Sequence, residues 1–139
     1  LCERSAEFDR SMTSNSVLKR ILPSATGTRF ERNAESYLVK CGLRTNCRNY
    51  RCRAGEIDLV MHDGNCVVFV EVRFRSSSEY RDPFESITLR KQKRIIRAAT
   101  HFLAANSHLA DSPCRYDAVG VSNDDGRIKY DWIKDAFST

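Results

Sequence analysis

Between residues 28 and 41 the apolar residues Phe30, Ala34, Tyr37, Leu38 and Cys41 recur at helical spacing, and Gly42 follows where a left-handed cap would end a helix. The pattern predicts a helix over 28–41, with Glu31 at the edge of its apolar stripe and Glu35 one turn further on. The period then shortens to two. Residues 43–50 read as an edge strand and 51–55 as a basic loop. Residues 56–62 and 66–74 read as strands rich in Val and Ile, separated by Asp63-Gly64-Asn65, a hairpin signal. After a loop from Ser76 through Pro83, residues 85–105 form the longest predicted helix, with Ile95, Ile96, Ala99, Phe102 and Leu103 on its buried face. Strands at 116–121 and 127–133 close the chain around Asn123-Asp124-Asp125-Gly126. Helix, three strands, long helix, two strands is the pattern of a single α/β domain with helices covering a central sheet. Residues 1–26 read as a flexible N-terminal arm and 27–139 as the domain. The chain starts with Leu1, and Met12 precedes an ordinary polar start, so residues 1–11 are expected to be an upstream extension or a fragment edge.

Composition narrows the class. With 139 residues the chain is long enough for one core without staples. Its longest apolar run, Cys66 to Val70, is far short of the roughly 20 residues of a spanning helix, so no membrane partner is expected. The six cysteines form no C-x-x-C pair and no secretory signal is visible, which points to reduced thiols and a cytoplasmic location. No P-loop, dinucleotide fingerprint or G-x-S-x-G elbow is present.

The net charge of +5 is distributed unevenly. Residues 1–55 carry 11 basic and 5 acidic groups, residues 56–80 carry 2 and 5, and residues 81–100 carry 6 and 2. An acidic island between two basic blocks suits a metal-binding centre between phosphate-binding walls.

Strand parity sharpens the island. Side chains alternate faces along a strand, so a two-residue hairpin turn sorts Ile57, Leu59, Met61, Cys66, Val68, Val70 and Val72 onto one apolar face. The other face holds Glu56, Asp58, Glu71 and Arg73 at its open end, and a Gly64-Asn65 turn would set Asp58 opposite Glu71. Facing carboxylates repel unless a proton or a cation lies between them. A structural network with Arg73 satisfies that need as well as a metal does.

Gly55-Glu56-Ile57-Asp58-Leu59-Val60, then Val68-Phe69-Val70-Glu71-Val72-Arg73-Phe74-Arg75, resembles the signature of the bacterial YraN-type family of uncharacterised proteins, itself similar to the restriction-endonuclease-like PD-(D/E)xK superfamily. Gly27, Glu31, Ala34, Tyr37 and Leu38 resemble the family's first helix, Lys91-Gln92-Lys93-Arg94 its second, and Arg115-Tyr116-Asp117 with Trp132-Ile133 its end. The resemblance implies a restriction-endonuclease-like mixed sheet and metal-dependent phosphodiester hydrolysis, in branched or structured DNA. Asp58, Glu71 and Arg73 take the catalytic motif positions, and Glu31, Asp58 and Glu71 would bind Mg²⁺ or Mn²⁺. Mg²⁺ prefers hard oxygen ligands and keeps several waters, so a few carboxylates suffice. Arg73 stands where the motif has Lys; Arg cannot act as a base but can stabilise the charged transition state.

Arg51, Arg53, Lys91, Gln92 and Arg94 are the expected nucleic-acid contacts, with DNA favoured over RNA. Resolvase relatives pair because two cuts need two sites, which makes a homodimer an open arrangement. Two other readings remain: a nucleic-acid-binding module without turnover, and an interaction scaffold whose charge cluster is structural.

Overall fold

Strands β1 (Arg44–Cys52), β2 (Gly55–Asp63), β3 (Cys66–Ser76), β4 (Cys114–Asp124) and β5 (Arg127–Phe137) lie in one sheet in sequence order. A computed structural model describes residues 25–76, 85 and 87–139 of the chain. All but the last two residues of the expected arm, and all of 1–11, lie outside the described residues; Ala25 and Thr26 already belong to helix α1 (Ala25–Lys40). Neighbouring strands are antiparallel except β3 and β4, which are parallel. A parallel pair needs a long crossover, and α2 (Leu89–Ala105) lies within it. The result is a mixed five-stranded α/β sheet with a helix on each face.

The two faces have separate cores. Phe30, Ala34 and Leu38 of α1 pack on Leu59, Met61, Val68, Val70, Val119 and Val121. Ile95, Ala98, Ala99 and Phe102 of α2 pack on Val60, Val67, Phe69, Tyr116 and Ala118. Full burial of each such large side chain contributes about 1.5–3 kcal/mol, which is what holds both helices to the sheet. α1 ends as its sequence requires. Gly42 adopts a φ of 105°, its N–H donates to the Val39 carbonyl, and the Leu43 N–H reaches back to Leu38, so the last carbonyls are satisfied. Cys41, expected in the apolar stripe, lies beyond the last helical turn and is exposed.

Three expectations are corrected. The long helix begins at Leu89 rather than 85, because the Thr88 side chain accepts the Lys91 N–H at 3.2 Å and caps it there. Residues 51 and 52 extend β1 instead of forming a loop. Ile57 does not share a core with Leu59 and Met61; it packs beneath α2 with Tyr50 and Ile95. Strict alternation fails at this end of β2, for a reason that also makes the site.

Gly55, at the start of β2, sets how closely α2 approaches. A Cβ there would lie 3.0 Å from the Arg94 carbonyl oxygen and 3.4 Å from the Arg94 Cβ. Gly55→Ala is therefore expected to destabilise the fold by about 1–3 kcal/mol through overpacking. A lower urea midpoint at unchanged m-value is the measurement. Among the described residues no helix is long and apolar enough to cross a membrane.

Candidate metal centre

The hairpin pairs Asp63 with Cys66, so Gly64-Asn65 is its turn and facing residues run Met61↔Val68, Val60↔Phe69 and Leu59↔Val70. There the ladder stops. Beyond Leu59, β2 follows β1 as far as Gly55; beyond Val70, β3 follows β4 as far as Ser76. The sheet forks, and the expected Asp58–Glu71 backbone pair does not form. The Asp58 side chain bridges the opening instead: its Oδ2 accepts the Val72 N–H at 2.8 Å. That bond sets the Asp58 carboxyl beside Glu71, within hydrogen-bonding reach of it.

Glu71 is 3% exposed and faces α2. Lys91 Nζ lies 3.0 Å from Glu71 Oε1, and an Arg73 guanidinium nitrogen lies 3.7 Å from the same oxygen. From the other layer, α1 brings Glu31 to the fork. The Glu31 Oε2 is buried with no hydrogen-bond partner. Asn49, held at a φ of 50° that Asn tolerates better than most residues, hydrogen-bonds the Glu31 carboxyl. Glu31 also borders a cavity of about 70 Å³ with Thr28, Arg32, Glu35, Arg48, Asn49 and Leu59, which is roomy enough for water.

The charges feel one another. Burial, then the charge of Glu71, then that of Glu31, hold the Asp58 carboxyl well above the ordinary Asp range, against the Val72 N–H, which favours the ionised form. Burial also raises Glu31; the Asn49 hydrogen bond and Arg51 oppose it, and Glu56 and Glu71 add to it. Glu35 goes the other way. Burial works against its ionised form, but the Arg48 and Thr45 hydrogen bonds at 2.6 and 2.7 Å win, and its pKa falls. Glu35 is thus a neutralised structural acid and Glu71 is answered by Lys91 and Arg73, whereas burial and neighbouring carboxylates work against the ionised forms of Glu31 and Asp58. Among the described residues no three His, Cys, Asp or Glu side chains close on a common point.

The remaining expected site residues separate. Arg53 sits exposed in the turn after β1, and Arg94 is exposed on α2. Close packing of Gly55 on Arg94 brings these two basic blocks to one edge. Arg51 Nε is 3.4 Å from the Glu56 carboxylate. The Gln92 amide donates to the Ile87 carbonyl at 3.0 Å, so it supports the start of α2 rather than the carboxylates. Lys91, expected as an outer phosphate contact, stands inside the centre. Asn49 was not singled out in the sequence, where nothing marks its left-handed backbone.

The protein-family model for uncharacterised protein family UPF0102 matches residues 30–121, a span that holds all three carboxylates. A UPF0102 protein of Saccharophagus degradans is 48% identical over 113 residues, covering 81% of this chain and 92% of that protein. One of Nitrosospira multiformis is 48% identical over 112 residues, covering 80% and 91%. One of Psychromonas ingrahamii is 44% identical over 123 residues, covering 86% and 97%.

Proposed function

The chain belongs to the uncharacterised protein family UPF0102, and from its carboxylate centre we propose that it is a metal-dependent endonuclease-like protein of the PD-(D/E)xK type that hydrolyses phosphodiester bonds in nucleic acid, DNA in preference to RNA. The observation that carries the reading is the forked hairpin, where Asp58 bridges the opening beside Glu71 and Glu31 of α1 is close enough for its charge to be felt there.

These residues fit a hard divalent cation. The donors are all carboxylate oxygens, one of them a buried acceptor without a partner, and the repulsion among them calls for positive charge. Glu31, Asp58 and Glu71 would hold Mg²⁺ or Mn²⁺. Such an ion, when bound, polarises a phosphoryl oxygen and makes a bound water more acidic. The chain's own residues do the rest. The Val72 N–H holds Asp58 in place, and Asn49 orients Glu31. Arg73 contributes fixed positive charge beside Glu71, where negative charge grows on the phosphoryl group in the transition state. Arg53 and Arg94, exposed at one edge, bind backbone phosphates and so position the strand without reading its bases. Arg51 lends the same edge positive charge.

The test is incubation of the purified chain with labelled single-stranded, duplex, flapped and four-way-junction DNA and with RNA, in Mg²⁺, in Mn²⁺ and in EDTA. The expected result is metal-dependent cutting of at least one DNA form, absent in EDTA. Salt-dependent binding without cutting in either metal would favour the second reading, a binding module, which the Arg at position 73 supports. Neither binding nor cutting would make the carboxylate group a purely structural one.

A further inference from the structure

Lys91 occupies an uncomfortable position. It is the third residue of α2, and its own N–H is tied to the Thr88 cap. The first turn of α2 has no acidic residue and carries Arg90 and Lys91 where the helix dipole already presents positive charge. Cations at this end are unfavourable unless something anionic answers them. Here Glu71 does, at 3.0 Å, while the Lys91 side chain remains 34% exposed. One ammonium thus touches a carboxylate that is 4% exposed and also reaches solvent. Arg73, which follows the carboxylate in the sequence motif, lies farther from that oxygen at 3.7 Å.

We propose that Lys91, and not Arg73, is the principal cation of this centre: it fixes the Glu71 carboxylate by direct contact and donates its remaining N–H groups to an oxygen of the bound phosphodiester. The inference rests on the nuclease reading and assigns a residue within it. An ammonium carries three donors, and Glu71 uses one of them, so a phosphate oxygen can be met without breaking the pair. A compact point charge suits a shared position between two anions better than a planar fork. Arg73 is left to contribute charge at longer range. Because the ammonium also competes with any cation for Glu71, the assignment has a consequence that needs no turnover: removing it should tighten metal binding.

The experiment compares wild type, Lys91→Met, Lys91→Arg and Arg73→Met as full chains. The first readout is Mn²⁺ affinity without nucleic acid, the second is affinity for a fluorescein-labelled DNA oligonucleotide in Ca²⁺ across a salt series, and the third is cutting in Mn²⁺. Lys91→Met is expected to bind Mn²⁺ more tightly, by about threefold or more, as loss of a nearby like charge requires. It is expected to bind DNA about tenfold more weakly with a salt slope lower by about one. Its cutting rate should fall by about 10²-fold or more, as when one transition-state donor is removed. Lys91→Arg should restore DNA affinity, and Arg73→Met should change each readout less than Lys91→Met does. Thermal melts guard against misfolding, and a Glu71→Gln/Lys91→Met double variant should be no less stable than Glu71→Gln alone if Glu71 is the partner. The assignment is overturned if wild type cuts DNA and Lys91→Met matches it while Arg73→Met carries the losses. A wild type that neither binds Mn²⁺ nor cuts overturns the nuclease reading itself, and this assignment with it.

Discussion

Asp117→Ala should be the most damaging single substitution in the sheet, costing about 3–5 kcal/mol, the scale of breaking a buried charge network. Asp117 is fully buried on β4, and its carboxylate is shared among three donor groups. Arg115 Nε approaches its two oxygens at 3.0 and 3.2 Å, Trp132 Nε1 donates to Oδ2 at 2.9 Å, and the Asp135 N–H donates to Oδ1 at 2.9 Å. The last contact explains the kink near the end of β5. Asp135 has a φ of 52°, and the β4–β5 register shifts between Tyr116 and Ala118. The carboxylate thus gives the Asp135 N–H an acceptor where the ladder is irregular. Arg115 also reaches Asp63 at 2.9 Å and so ties the hairpin to β4. Removing Asp117 leaves the half-buried Arg115 guanidinium with Asp63 alone, and takes the acceptor from an indole N–H and a backbone N–H. For a domain of this size the expected fall in Tm is more than about 10 °C. Asp117→Asn should lie between wild type and Ala, because one amide oxygen can still accept. A melt within a few degrees of wild type for Asp117→Ala would show that water replaces the network.

What was legible in the chain follows from what local physics can encode. The hairpin is marked by the turn residues Asp63-Gly64-Asn65, and the acidic clustering by period-two alternation, which backbone geometry enforces wherever two strands remain paired and which sorts the faces alike whether the turn is 63–64 or 64–65. Alternation has no means of announcing where pairing ends. At the fork Ile57 turns under α2, and Asp58 binds the Val72 N–H instead of facing Glu71 across a rung. The two carboxyls still meet, but through a side-chain bond that parity could not supply. Lys91 was visible only as one member of a basic run, because its partner is set by how α2 docks. That docking depends on a long-range contact, Gly55 against Arg94. Asp117 did leave a trace. Arg115 and Asp117 are two apart on a strand and so share a face, and an i, i+2 pair of opposite charges directly before the apolar stretch 118–121 of β4 marks an ion pair at the edge of the core.

Asp58→Asn is expected to separate stability from activity in opposite directions. The folded protein holds the Asp58 carboxyl well above 3.8, its value in the unfolded chain. The folded state therefore binds this proton more tightly than the unfolded state does. Its contribution to stability is complete below about pH 3.8 and is lost as pH rises through the folded-state pKa. Glu31, raised for the same reason, adds a loss of the same sign. At neutral pH the metal-free centre is thus a source of strain. An amide in place of the carboxyl keeps an acceptor for the Val72 N–H and removes a charge beside Glu71. Asp58→Asn should consequently be more stable than wild type at pH 7 without metal, by on the order of 1 kcal/mol, and its stability should fall less between about pH 4 and pH 7. Added Mn²⁺ should raise the wild-type Tm, because an ion that binds only the folded state stabilises it by mass action, and should leave Asp58→Asn almost unmoved. Cutting should fall by about 10³-fold in the same variant, at the upper end for loss of one electrostatic group at a reacting centre. Denaturant titrations at a series of pH values, with and without Mn²⁺, read the first three expectations, and the DNA panel reads the fourth. A variant less stable than wild type at every pH would mean that the Asp58–Val72 hydrogen bond outweighs the repulsion, and that the fork is a structural joint rather than a site held under charge strain.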